Sequence, residues 1–111
     1  MVTLGTVVMH VADTGRAARF WAQALGYVPR EHNPLILEPK DGNGPGLALD
    51  ESDRMHLDLY TDSAQEQQAE VERLISVGAR RVDWAYPDDA DFVVLADTEG
   101  NLFCVVDTSH G

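Results

Sequence analysis

Residues 2–26, VTLGTVVMHVADTGRAARFWAQALG, contain the signals that decide the fold. The first part of this stretch is rich in β-branched side chains, which predicts a strand over 2–12. Asp13 follows as a predicted N-cap, and apolar side chains at helical spacing predict a helix over 14–25. Gly26 stands where the end of a helix favours a left-handed backbone conformation. The stretch therefore predicts a strand, a capped helix and a terminating glycine.

The apolar side chains of this predicted helix indicate which of its faces packs on the sheet. They are Ala17, Phe20, Trp21, Ala24 and Leu25. Residues three or four positions apart share one face of a helix. We therefore expect Phe20 and Trp21 to pack in the core rather than to stack on a ligand.

The same order of signals returns at 54–78, RMHLDLYTDSAQEQQAEVERLISVG. The opening residues predict a strand, and Ser63 with Glu66 has the spacing of a capping box at the start of a helix. An apolar stripe on that helix consists of Val71, Leu74 and Ile75, and the helix is expected to end near Gly78.

Short strands are predicted between and after these two copies. Residues 35–40 and 47–50 predict a pair of strands joined by a turn, and three further strands are expected at 80–84, 92–96 and 102–107. Both halves of the chain then have the order strand, helix, strands. We expect an α+β fold of two tandem βαβββ modules, about 1–52 and 53–111, within a single domain of residues 1–111. Paired modules would form a curled sheet with helices outside and a cup-shaped cleft.

Composition excludes several classes of function. The chain has 111 residues, 19 acidic against 8 basic, and a net charge of −11. Such a surface repels nucleic acid and anionic membranes, because both are bound through Lys and Arg. One cysteine, Cys104, cannot form an intramolecular disulfide. No apolar stretch is long enough to cross a bilayer and no signal peptide is recognisable, which predicts a cytoplasmic protein.

The strand at residues 54–61 has an unusually polar face. Side chains alternate along a strand, so His56, Asp58 and Tyr60 share one face. Asp58 either orients His56 or forms an ion pair with Arg16 or Arg19, and Tyr60 either lines the rim of a cup or packs. Aligning the two N-caps predicts which residues of the first strand occupy equivalent positions. The pairs are Thr6 with His56, Val8 with Asp58 and His10 with Tyr60.

Four stretches in order resemble the vicinal oxygen chelate superfamily, which includes glyoxalase I, extradiol dioxygenases and bleomycin-resistance proteins. They are VADTGRAARFWAQALGY, RMHLDLYTD, ERLISVGAR and VLADTEGNLFCVVD. The resemblance implies the paired βαβββ fold, a homodimer and one divalent metal ion. Carried over by position, the implied metal ligands are Thr6, His56 and Cys104.

This inherited ligand set is chemically poor. A threonine hydroxyl is a weak ligand, and a thiol replaces the glutamate that the superfamily uses, so the departures favour a protein without a metal. Cys104 is most simply a small buried hydrophobe. The residues His10, His56 and Asp58 offer another set, of the kind that suits non-haem iron. The alternative for His10 is a hydrogen bond to backbone or water. The ions considered are Fe, Mn, Zn and Ni.

Three functions remain open from the sequence. The first is an enzyme of lyase, isomerase or dioxygenase type that acts on a small oxygen-bearing metabolite, with His56, Asp58 and Tyr60 as catalytic residues. The second is a metal-free protein that sequesters a ligand, as bleomycin-resistance proteins do. A third is a structural or regulatory dimer. In the first two, the expected partner is a small molecule.

Overall fold

The computed structural model describes residues 1–109, so that His110 and Gly111, which belong to the predicted second module, lie outside the described residues. The first half of the chain contains β1 (Thr3–His10), α1 (Thr14–Leu25), β2 (Val28–Arg30), β3 (Asn33–Glu38) and β4 (Gly46–Asp50). The second half contains β5 (His56–Thr61), α2 (Ala64–Ser76), β6 (Arg80–Arg81), β7 (Phe92–Ala96) and β8 (Leu102–Asp107). Each half has the order βαβββ, which confirms the predicted α+β class and its two tandem modules.

The chain forms two compact units. One comprises residues 4–56, and the other comprises residues 1–3 together with the chain from Leu57 onward. Whether they make up the single domain predicted for residues 1–111 stays a prediction. Neither helix of the described chain is both long enough and apolar enough to cross a membrane.

The sheet of the first unit has the strand order β2-β3-β4-β1, with β1 parallel to β4. Its core is formed by Leu37, Leu47 and Leu49, against which Val7 and Met9 pack. Side chains from α1 cover the same core, so this face of the sheet is the helix-facing one. By alternation, the other side chains of β1 point to the opposite face. Those are Leu4, Thr6, Val8 and His10.

The packed face of α1 differs from the predicted one. The helical side chains in contact with the core are Ala17, Ala18, Trp21 and Ala22. Trp21 is therefore placed as predicted, but Phe20 is 62% exposed and Leu25 is 49% exposed. The rings of Phe20 and Trp21 meet edge to face, with 5.1 Å between ring centroids. The apolar side chains of α1 form one side of the helix that is wider than its packed face. Spacing alone therefore did not select which part of that side is covered, and packing against the three core leucines did.

The second unit has the strand order β5-β8-β7-β6, with β5 parallel to β8. Val71, Leu95 and Val105 form its core, joined by Val93 and Phe103 from the sheet. The stripe predicted on α2 is confirmed, since Leu74 and Ile75 pack with Val71. Phe103 and Val105 lie opposite Leu57 and Leu59, so this face of β5 is the one turned towards α2. The polar residues of β5 therefore point to the other face.

Both helices begin at the predicted caps. The side chain of Asp13 accepts a hydrogen bond from the backbone N–H of Arg16 at 2.9 Å, and Ser63 Oγ accepts one from Glu66 at 3.0 Å. At the other end of α1, Gly26 adopts the predicted left-handed conformation, with φ 71°. Satisfying the first free N–H groups in this way fixes where each helix starts.

Two strands were not placed correctly by the sequence. The short strand β2 contains Pro29 and was not predicted, because three residues are too few to show alternation. The strand predicted over 80–84 is shorter in the structure, where it comprises only Arg80–Arg81. Both are edge strands. Each pairs with one neighbouring strand only, and this single pairing decides how long the strand is.

Gly78, just after α2, should tolerate no side chain. Its φ is 124°, and a Cβ there would lie 2.8 Å from Thr98 Cγ2. We predict that Gly78→Ala lowers the free energy of unfolding in urea by about 2 to 3 kcal/mol. The control Gly26→Ala meets no atom within 4 Å and should lose only about 1 kcal/mol. Adding Thr98→Ser should recover part of the loss at Gly78, and equal losses at both glycines would contradict the steric account.

Glu70 is a buried carboxylate of α2, with 6% of its surface exposed. Arg73 Nε donates a hydrogen bond to its Oε2 at 2.7 Å, and the backbone N–H of Val2 donates to Oε1. The hydrogen bond from Arg73, helped by that from Val2, lowers the pKa of Glu70 to about 2, against the opposing effect of burial. The ionised carboxylate thus holds the residues before β1 against α2.

This lowered pKa predicts a specific acid sensitivity. Because the pKa of Glu70 is lower in the folded than in the unfolded chain, its contribution to stability is complete above pH 4.5 and is lost as the pH falls towards 2. The variant Glu70→Gln should therefore show a flatter dependence of stability on pH in that window, measured by urea denaturation. The control Glu72→Gln, at an exposed position of α2, should keep the wild-type slope.

Candidate functional site

Three side chains with metal-binding or catalytic chemistry meet on the face of β5 and β8 opposite α2. They are His56, Asp58 and Cys104, and their donor atoms all lie within 4.8 Å of one another. Asp58 is directly opposite Cys104 in the parallel pairing, and His56 precedes Asp58 by two residues on the same strand. All three are half-buried. Within residues 1–109, this is the one group of at least three His, Cys, Asp or Glu side chains close enough to hold an ion.

The orientation of the His56 ring is set by the backbone just before β5. Its Nδ1 lies 2.8 Å from the carbonyl oxygen of Arg54. A carbonyl oxygen can only accept, so Nδ1 carries the hydrogen and the lone pair of the neutral ring is on Nε2. The Arg54 carbonyl is thus one group that orients the ring. The orienting role predicted for Asp58 stays a prediction.

Cys104 is the member of the cluster that sequence reasoning assigned to the core. The structure places it half-buried, between Asp58 on β5 and Val94 on β7, and on the polar face instead. Nothing in the apolar stretch LFCVVD signals this, because only the register of β8 decides which residue faces Asp58. The resemblance to the superfamily did give a signal, since it assigned a ligand position to Cys104.

Tyr60 and Thr6 are placed as alternation predicts. Tyr60 is half-buried, opposite Val106, on the same face of β5 as His56 and Asp58. Thr6 belongs to the other unit, where it is 1% exposed and lies opposite Gly46. The catalytic role predicted for Tyr60 and the ligand position implied for Thr6 stay predictions.

His10 lies at the end of β1 and makes a backbone contact. Its Nδ1 is 3.0 Å from the carbonyl oxygen of Asp53, and it borders an open depression with the loop at 52–55. Asp50 is its partner in the register. The backbone N–H of Ser52, followed by that of Asp53, holds the pKa of the Asp50 carboxyl below its usual value. His10 is not part of the cluster at His56, and its role as a metal ligand stays a prediction.

The cluster and the inherited ligand set differ in how well they fit a divalent ion. The inherited set would include the neutral hydroxyl of Thr6. The observed cluster offers an imidazole nitrogen, a carboxylate oxygen and a sulfur, which suit zinc and similar ions better than Mg or Mn. An ion held there would polarise an oxygen atom of a bound ligand. The residues of β5 and β8 therefore fit an ion, with Asp58 in place of Thr6.

A sequence profile of the glyoxalase-like domain family matches residues 6–106, nearly the whole chain. The chain belongs to this family. The resemblance to the vicinal oxygen chelate superfamily is thereby confirmed. A search of curated proteins finds no match to the chain.

Several solved structures are similar to this glyoxalase-like protein at low sequence identity. An NAD-dependent benzaldehyde dehydrogenase from Legionella pneumophila is 16% identical, with a TM-score of 0.63 over 92% of this chain and 96% of its own. Methylmalonyl-CoA epimerase from Mycobacterium tuberculosis is 21% identical, with a TM-score of 0.56 over 94% and 86%. A glyoxalase/bleomycin resistance protein/dioxygenase family enzyme from Burkholderia phytofirmans is 19% identical, with a TM-score of 0.43 over 93% and 96%. At such identities, the first two likenesses show the fold alone.

The contact at Arg54 makes a prediction about the tautomer of His56. At a pH where the ring is neutral, we expect the hydrogen on Nδ1 and the lone pair on Nε2. Long-range ¹H–¹⁵N correlation spectra report the position of this hydrogen directly, and His56→Gln identifies the signal. A hydrogen on Nε2 would mean that the Arg54 carbonyl does not orient the ring.

Proposed function

We propose that this glyoxalase-like protein binds a small oxygen-bearing metabolite against the polar face of β5 and catalyses proton transfer at a carbon next to a carbonyl group. The observation that supports the proposal is the cluster of His56 and Asp58 with Cys104. The contact of His56 Nδ1 with the Arg54 carbonyl argues that the lone pair of the neutral ring is on Nε2. Proteins of the vicinal oxygen chelate type act as enzymes or as binding proteins. A histidine that is held in one orientation as a base favours an enzyme.

His56 is the general base of the proposed reaction. Its Nε2 takes the proton from the carbon, which leaves an imidazolium and an enolate, and the proton then returns to the same carbon. The hydrogen bond from Nδ1 to Arg54 holds the ring in one orientation while Nε2 gains and loses the proton. The reaction is balanced without an oxidant or a second substrate.

Asp58 and Tyr60 support the charges that this step creates. A carboxylate close to the imidazole stabilises the imidazolium, and Asp58 lies within 4.8 Å of it. A phenol hydroxyl can donate to the developing enolate oxygen, and Tyr60 is on the same face of the same strand. His10 is the alternative donor to that oxygen.

The test measures exchange of hydrogen rather than turnover of a known substrate. The protein is incubated in D₂O with a panel of small aldehydes, ketones and 2-hydroxy carbonyl compounds, and ¹H NMR follows loss of signal at the carbon next to the carbonyl. We expect exchange with at least one compound and a loss of about 100-fold or more in His56→Ala. The control His32→Ala, at an exposed position before β3, should exchange at the wild-type rate.

Unchanged exchange in His56→Ala would reject this histidine as the base. The comparison requires that both variants keep the wild-type circular dichroism spectrum and melting temperature. His56 is half-buried at the first position of β5, so its replacement by Ala is expected to leave the sheet intact.

Sequestration of a ligand without chemistry is the second candidate. Two observations favour it: the neutral Thr6 at an inherited ligand position, and the net charge of −11, which attracts cationic compounds. A cationic compound that raises the melting temperature, combined with no exchange by any member of the panel, would support this function over the enzyme. In both cases the partner is a small molecule, and a homodimer and a cytoplasmic location stay predictions.

A further inference from the structure

A single carboxylate organises the turn that leads into β5. Asp50, the last residue of β4, accepts three hydrogen bonds at Oδ1: from the backbone N–H of Ser52 at 2.7 Å, from that of Asp53 at 2.8 Å, and from Ser52 Oγ at 2.9 Å. The carbonyl group of the following residue, Arg54, contacts Nδ1 of His56. We propose that Asp50 is a positioning residue, which holds the proposed base His56 in one tautomer through this turn. Its effect on the reaction rests on the proposed function.

Asp50 is itself held by the sheet of the first unit. It lies opposite His10 in the parallel pairing of β1 with β4, and its carbonyl oxygen accepts a hydrogen bond from the backbone N–H of Val11 at 2.9 Å. Because the backbone of Asp50 is fixed in this way, the hydrogen bonds that its carboxylate accepts also fix the turn at 51–53 relative to β1 and β4.

The charge of Asp50 strengthens its hold on the turn. Hydrogen bonds to an ionised acceptor are stronger than those between neutral groups. The backbone N–H of Ser52, followed by that of Asp53, holds the pKa of the Asp50 carboxyl below its usual value, so the group stays ionised at neutral pH. An aspartate that accepts from the backbone two residues further on is common in turns. Here the carboxylate also accepts from the next N–H, which fixes the peptide groups on both sides of Ser52.

The peptide group that joins Asp53 to Arg54 is fixed at both of its polar atoms. Nδ1 of His10 donates to the carbonyl oxygen of Asp53 at 3.0 Å, and the backbone N–H of Arg54 donates to Asp53 Oδ1 at 2.9 Å. Only the two backbone dihedral angles of Arg54 separate this peptide group from the carbonyl that contacts His56. The position of that carbonyl therefore depends on the turn that Asp50 organises.

The tautomer of His56 is the property that the turn controls. A neutral imidazole has one N–H and one lone pair, and an acceptor held at one nitrogen decides which nitrogen carries the hydrogen. The contact from Nδ1 to the Arg54 carbonyl is 2.8 Å long, and a displacement of about 1 Å would take it beyond the range of a hydrogen bond. Without this acceptor, the hydrogen would be shared between the two nitrogens, and fewer molecules would have the lone pair on Nε2.

The first experiment measures the tautomer of His56 without any substrate. Long-range ¹H–¹⁵N correlation spectra of the full-length protein are recorded at a pH where the ring is neutral. In the wild type we expect the hydrogen on Nδ1. In Asp50→Ala, the ¹⁵N shifts of Nδ1 and Nε2 should move towards each other, because both tautomers are then populated. Asp50→Asn keeps an acceptor oxygen and should restore the wild-type shifts.

The matched control is Asp41→Ala, in the turn between β3 and β4. Asp41 Oδ1 accepts a hydrogen bond from the backbone N–H of Asn43 at 3.0 Å, which is the same kind of contact at the other end of β4. This turn does not lead to His56, so the ¹⁵N shifts of the ring should equal those of the wild type. If Asp50→Ala loses the wild-type circular dichroism spectrum, Asp50→Ser replaces it, since a hydroxyl holds such a turn more weakly than a carboxylate. The same direction of change is expected in Asp50→Ser.

The second experiment measures the reaction in the same variants. In the exchange experiment with carbonyl compounds in D₂O, Asp50→Ala should lower the rate about 10-fold or more, because a small displacement of a reacting group is costly. Asp50→Asn and Asp41→Ala should exchange at nearly the wild-type rate.

The outcomes separate this inference from the proposed function. Wild-type ¹⁵N shifts of His56 in folded Asp50→Ala, or an equal change in Asp41→Ala, would overturn the positioning role, as would a hydrogen on Nε2 in the wild type. If the shifts change as expected but no carbonyl compound exchanges hydrogen, the positioning role stands and the proposed reaction is rejected. If exchange requires His56 but Asp50→Ala changes neither the shifts nor the rate, the reaction stands and the positioning role is rejected.

Discussion

The parallel register of β5 against β8 is the constraint on which the candidate site depends. It places Asp58 opposite Cys104 and, by alternation, turns His56 to the same face. A shift of one residue in β8 would turn Phe103 or Val105 towards Asp58 and remove both residues from the core that α2 covers. Packing of that core therefore also fixes the chemistry on the other side of the sheet.

The two modules have the same architecture but place different side chains on the face turned away from the helix. In the first, Val8 lies opposite Ala48 on the face turned away from α1, and in the second the equivalent strand places Asp58 opposite Cys104. A parallel pairing of the first and last strands of a module brings two side chains together in both cases. At this pair of positions only the second module has ionisable groups, whereas the His10–Asp50 pair of the first module lies two residues further along β1. The cluster of His56, Asp58 and Cys104 therefore has no counterpart at the equivalent positions of the first module.

The proposed function depends on one nitrogen atom of His56. The Arg54 carbonyl takes Nδ1 of His56, so that every further interaction of the ring's nitrogen lone pair is made at Nε2. The proposed base needs that lone pair, and a carboxylate near the ring favours a proton there. The orientation of the ring is therefore set from outside the cluster, by the backbone just before β5.

The sequence by itself determined the order of the elements, the caps at Asp13 and Ser63, and the shared face of His56 with Asp58, because caps and alternation are local properties of the backbone. It did not determine that Phe20 is exposed, since the apolar side of α1 is wider than its packed face and only the core it meets selects which part is covered. Nor did it place Cys104 beside Asp58. That neighbour comes from residues 46 positions apart in the chain, and only the tertiary pairing of β5 with β8 selects it.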